Sequence, residues 1–446
     1  MSILAWLLLA CTPDPGLDSR PGDSGPPQPF AAGLEARLDD HIGSLVWLSW
    51  DQLGPGTPQV EWLDGETWIA GPAIEGGAGP KEQLVLGVPF GAEVALRVVT
   101  TTDGGRWTSD EVAICTAALP EGLSHAAVLI QDEGGGDPDL GWIFTSSVGM
   151  SQGESWSLIL DRAGRVIWAL ASPQGRLTLQ PQIAADGRSL LVDHNSFYGS
   201  LDGGAASQVQ RLSIDGAVLA TYATPGLHHG FTATGDGSIA WGATHDTGYD
   251  SLEVLDPSGV QRTLWDCADL HAALGTDQAC QNNGVAWNPA SERFLLSFFT
   301  TESLVELGPD GEPQRWFGQL PGAWGFTSTG TVFRWQHGAH ITADDTLLLS
   351  SHSSAIGDEV MVREYALDQG SQLLEQVWSH GQGQGLDAPM GGDVHRLASD
   401  NTLHSTGSGG RIREITPAGE VVWDLSFPAT YLGRTTPVED LYALLP

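Results

Sequence analysis

The chain has 446 residues, with 55 Asp or Glu against 19 Lys or Arg, and so carries a formal net charge of −36. No stretch offers the basic face that a nucleic acid requires, so nucleic acid is excluded as a partner. The length exceeds what one hydrophobic core usually supports, so two folded domains are expected. The 58 Gly, 26 Pro and 17 Trp favour many short strands joined by turns over long helices.

Residues 1–11, MSILAWLLLAC, contain an apolar run too short to span a bilayer and are predicted to be a signal peptide. Their last four residues are similar to the lipobox of bacterial lipoproteins. That similarity implies that Cys11 is lipidated and that the protein is exported and anchored in the bacterial cell envelope, in the periplasm or at the outer membrane. No Lys or Arg precedes Cys11 as such signals usually require, so an uncleaved or simply secreted N-terminus is the alternative. Residues 12–33, rich in Pro and Gly, are predicted to be a disordered tether.

Residues 34–118 contain short alternating runs between Gly and Pro turns, such as SLVWLSW (44–50) and VALRVV (94–99). This pattern predicts a small β-sandwich, similar to a fibronectin type III or immunoglobulin-like module. No cluster of His or Cys lies in it, so a spacer role is expected. Cys115 falls in the alternating run VAIC and is predicted to be a buried structural thiol.

Residues 119–446 repeat a strand, a turn containing Gly, and a second strand that usually ends in Trp. Six copies are present: LDRAGRVIW (160–168), SIDGAVLATY (213–222), LDPSGVQRTLW (255–265), LGPDGEPQRW (307–316), LDQGSQLLEQVW (367–378) and ITPAGEVVW (415–423). A second hairpin with a polar turn alternates with the first. Because a propeller blade has four strands, the fold class predicted is all-β: a six-bladed β-propeller preceded by the β-sandwich.

Polar residues precede four of the second hairpins, at the same position of each blade. Equivalent positions of successive blades face one another around the central channel of a propeller, so these side chains are expected to converge on one pocket. Imidazole titrates near neutral pH and can carry a transferred group. The alternative is that these side chains only bond to neighbouring strands. The residues concerned are His228, His229, Gln281, Asn283, His337, His340 and His395.

Other chemical motifs are missing from the sequence. There is no phosphate-binding loop of the G-x-x-x-x-G-K-[ST] type, no H-E-x-x-H, no C-x-x-C and no EF-hand spacing, so neither a metal site nor a cofactor is predicted. Cys267 and Cys280 lie close in sequence and are predicted to form a disulfide in an oxidising compartment.

The repeat region resembles the bacterial arylsulfate sulfotransferases. The resemblance lies in three segments that keep the family's order: HHGFTATGDGSIAWG (228–242), FRWQHGAHITADDTLLLSSHS (333–353) and GDVHRLASDNTLHSTGSGGRIREITPAGEVVWDL (392–425). Members of that family form six-bladed propellers and transfer sulfuryl groups from phenolic sulfate esters to phenols without a nucleotide donor. The resemblance implies that His337 carries the sulfuryl group and that His229 is a second catalytic histidine.

The chain departs from the family pattern at three positions. Gln281 stands where the family has a histidine, Phe299 where it has an arginine, and Gly338 where an aspartate follows the nucleophile. Two hypotheses follow. One is an active, divergent sulfotransferase, in which Gln281 and Asn283 orient the sulfate and His340, His395 or an arginine from another loop replaces a missing group. The other is a catalytically inactive, surface-anchored propeller that binds a small anion, a glycan or a protein.

Overall fold

The computed structural model describes residues 30–132, 134–149, 154–245, 248–353, 359–427 and 430–445. The predicted signal peptide, the lipidation residue Cys11 and most of the predicted tether lie outside the described residues. Strands make up 53% of the structure and helices 6%. The described residues form two compact units, one within residues 30–123 with 165–168 and the other within residues 124–164 with 169–445. None of the described helices is long and apolar enough to cross a membrane.

The first unit is a sandwich of two antiparallel sheets. Its strands are β1 (Ala31–Leu38), β2 (Val46–Gln52), β3 (Thr57–Asp64), β4 (Thr67–Ala73), β5 (Gly79–Val85), β6 (Glu93–Thr102), β7 (Gly105–Thr108) and β8 (Val112–Cys115). One sheet has the order β1-β2-β5 and the other the order β4-β3-β6-β7, with β8 also paired to β6.

Alternation of side chains builds the core of this sandwich. Val46, Leu48 and Trp50 of β2 are buried in the same cluster as Leu96 and Val98 of β6, because every second residue of each strand points to the inner face. Burial of these apolar side chains holds the two sheets together. The thiol residue Cys115, which was predicted to be buried, is only partly buried, since it ends a strand at the sheet edge.

Another 26 strands are found in the described residues, all in the second unit except for the first half of the strand at Val166–Ala171, which is grouped with the first unit. They are β9 (Ala127–Gln131), β10 (Trp142–Gly149), β11 (Ser155–Asp161), β12 (Val166–Ala171), β13 (Gln182–Ile183), β14 (Leu190–His194), β15 (Gln208–Leu212), β16 (Val218–Ala223), β17 (Leu227–Ala233), β18 (Ile239–Ala243), β19 (Ser251–Leu255), β20 (Gln261–Asp266), β21 (Asn282–Asn288), β22 (Arg293–Phe298), β23 (Ser303–Leu307), β24 (Pro313–Gly318), β25 (Gly325–Phe326), β26 (His337–Ile341), β27 (Thr346–His352), β28 (Val360–Asp368), β29 (Leu373–His380), β30 (Asp393–Arg396), β31 (Thr402–Ser405), β32 (Arg411–Ile415), β33 (Val421–Ser426) and β34 (Thr430–Val438).

These strands form six sheets, which are the six blades of a propeller. Written from the inner strand outward, the blades are β34-β10-β11-β12, β13-β14-β15-β16, β17-β18-β19-β20, β21-β22-β23-β24, β26-β27-β28-β29-β25 and β30-β31-β32-β33-β9. The inner strands β17, β21, β26, β30, β34 and β13 contact one another in that order. The predicted all-β chain with a six-bladed propeller is therefore confirmed.

Both ends of the second unit take part in closing the ring. The last strand, β34, pairs with β10 as the inner strand of the first blade, and Thr145 lies opposite Thr435. The first strand, β9, pairs with β33 as an outer strand of the last blade. The last strand thus completes the first blade, and the first strand is added to the last blade. These backbone hydrogen bonds join the two ends of the ring, and the C-terminal strand lies at its centre.

Helices are few and short. They are α1 (Ser196–Ser200) and α2 (Cys267–Leu274), together with 3₁₀ turns at Thr329–Thr331, Gly407–Gly409 and Leu441–Leu444. The predicted disulfide between Cys267 and Cys280 is present and ties the start of α2 to the residues just before β21. His271 lies near the two sulfurs. Because these sulfurs are bonded to each other, neither is available as a thiolate ligand for a metal.

Candidate functional site

A polar cavity lies among the inner strands of the propeller. Five of the seven residues predicted for catalysis and substrate binding line it, supplied by β17, β21, β26 and β30: His229, Asn283, His337, His340 and His395. The cavity volume is about 40 Å³, on a scale where one water molecule needs about 10–15 Å³. It therefore has room for a group of a few heavy atoms.

The other two predicted residues do not line the cavity. Gln281 is exposed and lies just before β21, where its backbone N–H donates to Thr300 Oγ1 at 3.0 Å. His228 is buried next to His229 and contacts it directly. The expected role of Gln281 in orienting sulfate therefore has no support in its position, and His228 acts through His229.

One nitrogen of His337 is fixed by the backbone. Its Nδ1 lies 2.9 Å from the carbonyl oxygen of Trp335. A carbonyl can only accept, so Nδ1 carries the proton and Nε2 carries the lone pair. Burial lowers the pKa of His337 to about 4, helped by the nearby His352, so the imidazole is neutral at pH 7. A neutral imidazole with a fixed tautomer has the properties of a nitrogen nucleophile.

The glycine after His337 leaves space for a carboxylate from another blade. Gly338 has a φ of +58°, and a Cβ there would lie 2.5 Å from Oδ1 of Asp393. A side chain at position 338 is therefore excluded by both backbone conformation and contact. Asp393, on β30, occupies the space that an aspartate at position 338 would need.

A chain of four hydrogen-bonded groups leads to the cavity through His229. Asp250 Oδ2 lies 2.8 Å from His228 Nε2, the two Nδ1 atoms of His228 and His229 are 2.5 Å apart, and His229 Nε2 lies 2.7 Å from the hydroxyl of Tyr198. A carboxylate only accepts, so His228 donates to Asp250, His229 donates to His228, and Tyr198 donates to His229. We call these four residues the relay.

Burial sets the protonation of the relay groups next to the cavity. The pKa of His229 is held well below its ordinary value by burial and by the neighbouring His228 and His337. Burial, with Tyr431 and Asp250, raises the pKa of the Tyr198 hydroxyl above its ordinary value. At pH 7 His229 is therefore a neutral acceptor and Tyr198 a protonated donor.

Tyr198 reaches the relay from the short helix α1. Asn195 caps this helix, and its side-chain oxygen accepts from the Tyr198 N–H at 3.3 Å. Asn at a helix N-cap is a favoured choice because its side chain satisfies an orphan N–H. The sequence analysis did not single out Tyr198. The Asn195 cap directly after an apolar strand was the available indication of a turn there.

A second cluster of polar side chains, formed by His340, Asp393 and His395, also lines the cavity. His395 Nε2 lies 2.9 Å from Asp393 Oδ2, which also accepts from the Thr435 N–H at 2.9 Å. Burial opposes ionisation of Asp393, but His395, Arg434 and that N–H bond outweigh it and lower its pKa. The ring of His340 stacks on His395 at 5.8 Å, and burial and His395 lower the pKa of His340 to about 4.

Aromatic side chains lie beside the two catalytic candidates. Phe299 stands 6.4 Å from the ring of His229 and 5.5 Å from that of Trp335. Tyr198 contacts His229 edge to face at 5.2 Å. The position where the resemblance places an arginine is therefore beside His229, but it presents an apolar ring. We call Tyr198, Phe299 and Trp335 the aromatic rim.

No protein-family model matches the chain, and no protein of curated function matches it. Among solved structures, a Bacteroides caccae protein of unknown function is 14% identical, over 67% of this chain and 99% of that one, with a TM-score of 0.46. A Bacteroides uniformis protein named as a candidate 6-phosphogluconolactonase is 15% identical, over 77% and 95% of the two chains, with a TM-score of 0.40. A Staphylococcus aureus virginiamycin B lyase variant is 12% identical, over 57% and 71%, with a TM-score of 0.33. Likenesses at this level carry no functional argument.

Proposed function

We propose that the chain transfers a sulfuryl group from a phenolic sulfate ester to a phenol, with His337 as the carrier. The observation that carries the proposal is the tautomer and protonation state of His337. The Trp335 carbonyl holds its Nδ1–H, so the lone pair lies on Nε2, and the ring is neutral at pH 7 in a cavity that other histidines line. The resemblance of residues 333–353 to the sulfotransferases points to the same residue.

In the first half-reaction the Nε2 lone pair of His337 attacks sulfur. An N–S bond forms, the S–O bond to the aryl ring breaks, and the phenolate leaves and takes a proton from solvent. Splitting the transfer through a covalent intermediate replaces one difficult step by two easier ones. Nδ1 keeps its proton, so the Trp335 carbonyl stabilises the positive charge that spreads over the ring.

In the second half-reaction the relay removes the proton of the acceptor phenol. The phenol oxygen attacks sulfur, the N–S bond breaks, and Nε2 of His337 recovers its lone pair. The phenol proton moves to Tyr198 while Tyr198 passes its own to His229 Nε2 and His229 passes its Nδ1 proton to His228. His228 is then an imidazolium beside Asp250, at 2.8 Å; the proton leaves by the reverse path through His229 to the partly exposed Tyr198 and then to solvent, which restores the starting tautomers.

We expect the cavity to bind the sulfuryl group of the substrate and the aromatic rim to bind its aryl ring. A volume of about 40 Å³ accommodates a sulfuryl group but not an aryl ring as well. The aromatic rim lies next to His229, where a phenyl ring can stack or pack edge to face. This arrangement favours aryl esters over esters of small alcohols.

A non-catalytic anion-binding propeller is the second candidate. It is favoured by Phe299, which puts an apolar ring where a cation would stabilise sulfate charge, and by the exposed position of Gln281. This candidate predicts binding of sulfate esters without turnover and without a covalent intermediate.

The test is turnover of 4-nitrophenyl sulfate with phenol as acceptor by the purified chain. We expect nitrophenol release and phenyl sulfate formation, and a loss of about 10³-fold or more in His337→Ala, as removal of a nucleophile causes. The matched control is His245→Ala, because His245 is an exposed histidine of the same unit. Mass spectrometry of quenched enzyme should find a sulfuryl group on the peptide containing His337.

Either of two results would overturn the proposal. One is inactivity of the folded wild-type chain with several aryl sulfates, which would favour the non-catalytic candidate. The other is turnover in His337→Ala equal to that of His245→Ala, which would assign the chemistry elsewhere.

A further inference from the structure

Arg434 is the one arginine among the residues that line the cavity in the described part of the chain. It lies on β34, the C-terminal strand that closes the ring as the inner strand of the first blade. Its backbone N–H donates to the Leu179 carbonyl at 2.8 Å, and the next residue, Thr435, donates to Asp393. The main chain that carries Arg434 is therefore fixed on both sides of the strand.

One donor of the Arg434 guanidinium has no partner among the residues that the structure describes. Its Nε is buried and makes no hydrogen bond to any described residue. A buried donor without a partner costs free energy, and the cost is larger for a charged group. An ordered water or a bound ligand can supply the missing acceptor, and a ligand is the candidate where the donor belongs to a cavity-lining side chain.

Asp393 does not supply that acceptor. Arg434 acts on Asp393 electrostatically and lowers its pKa, but the carboxylate bonds to His395 and Thr435 through Oδ2 and forms no ion pair with the guanidinium. Arg434 also lowers the pKa of His340. The guanidinium thus acts on the polar cluster electrostatically, and its Nε donor is not used by any described residue.

The charge balance of the cavity limits which anion fits. Arg434 contributes one positive charge and Asp393, which is hydrogen-bonded to His395, one negative charge, while His229, His337 and His340 are neutral at pH 7. A dianion doubles the attraction to Arg434 and the repulsion from Asp393 alike, whereas the cost of taking an anion out of water rises more steeply than its charge. The cavity therefore favours singly charged oxyanions.

The geometry points to Arg434 as the cation that binds the oxygens of a singly charged sulfate monoester, in the role that the apolar side chain of Phe299 cannot fill. This inference rests on the proposed function for the identity of the ester, but not for binding itself. A planar guanidinium can donate two parallel hydrogen bonds to such a group, and this one comes from the C-terminal strand β34 rather than from position 299, where the resemblance places an arginine.

The experiment measures binding without turnover. The probe is methyl sulfate, a monoanion without an aryl ring, and methyl phosphate at pH 8 is the dianionic counterpart. The thermal unfolding midpoint of the purified chain is followed against each anion at constant ionic strength, in wild type, Arg434→Gln and Arg188→Gln. Arg188 is an exposed arginine of the same unit, so it controls for the general stabilisation that such salts cause.

We expect methyl sulfate to stabilise wild type and Arg188→Gln equally, and the apparent Kd to rise about tenfold or more in Arg434→Gln, as loss of a charge-assisted hydrogen bond requires. Methyl phosphate should bind more weakly than methyl sulfate. Without ligand, Arg434→Gln should unfold close to the wild-type midpoint, because loss of the attraction to Asp393 and relief of the buried, unpaired Nε act in opposite directions.

Two results would overturn the inference: an equal response to methyl sulfate in wild type and Arg434→Gln, or tighter binding of methyl phosphate than of methyl sulfate. The proposed function fails separately. If wild type binds methyl sulfate through Arg434 but shows no sulfuryl transfer, the anion site stands and the catalytic proposal falls.

Discussion

Because of His404, the free energy of unfolding of the propeller should depend on pH between about pH 5 and pH 7. The residue lies on β31, is 3% exposed, and its Nε2 lies 3.1 Å from Ser350 Oγ. Burial, with Arg413 and His380 nearby, lowers the pKa of His404 to about 3, and Asp393 opposes this only in part. The perturbation is His404→Gln, which keeps a polar partner for Ser350 but removes the titrating group.

The sign and size follow from the two pKa values. In the unfolded chain a histidine binds a proton below about 6.5, whereas folded His404 binds none until about pH 3. Between those values protons favour the unfolded state, so stability falls as the pH is lowered and is constant above pH 7. From pH 7 to pH 5 one such histidine removes about 2 kcal/mol. His337 and His340 act with the same sign, so wild type should lose more than this.

Equilibrium urea unfolding at pH 7 and pH 5 measures the effect. His404→Gln should lose about 2 kcal/mol less than wild type between the two pH values. The exposed His245→Gln, in the same unit, is the control and should behave as wild type. An undiminished loss in His404→Gln would refute the argument that a buried neutral imidazole causes the acid sensitivity.

Three other changes test the site and its support. Gly338→Asp should lower the free energy of unfolding by about 2 kcal/mol or more, because its Cβ would lie 2.5 Å from Oδ1 of Asp393 at a φ of +58°; wild-type stability in urea titration would contradict this. Asp250→Asn should slow transfer to phenol at least about tenfold while the sulfuryl enzyme still forms, since it disturbs the relay but not His337; equal slowing of both half-reactions in rapid-quench measurements would argue against a proton role. Replacing Cys267 and Cys280 by Ser should cost about 3 kcal/mol by removing the cross-link over a sequence separation of 13, and a reductant should then have no further effect on the unfolding midpoint of the variant.

The sequence alone determined the repeating part of the structure. Each blade is built from hairpins whose turn and alternation are local, so the periodic segments from 160 to 423 fixed the number of blades. The register of polar residues before the second hairpins fixed which side chains approach the axis, because equivalent strands occupy equivalent places. His229, Asn283, His337, His340 and His395 therefore came together as expected.

The position of a residue within its repeat does not determine the direction of its side chain or the residues to which that side chain bonds. Gln281 shares the polar position but precedes the strand and stays exposed, while His228 turns back to Asp250, 22 residues away in sequence. Neighbouring residues of a strand point to opposite faces of the sheet, and so His228 and His229 have different partners. The relay depends on contacts that no spacing in the sequence encodes.

The position of Arg434 beside the cavity depends on closure of the propeller ring. Thr435 reaches Thr145, 290 residues earlier, because the final strand completes the first blade, and this pairing brings Arg434 beside Asp393. Neither residue lies in a repeat that predicts the other. The hydrophobic and turn patterns are local and can be read from the chain, whereas the charges that meet at the axis are set by a non-local pairing that exists only once the propeller is closed.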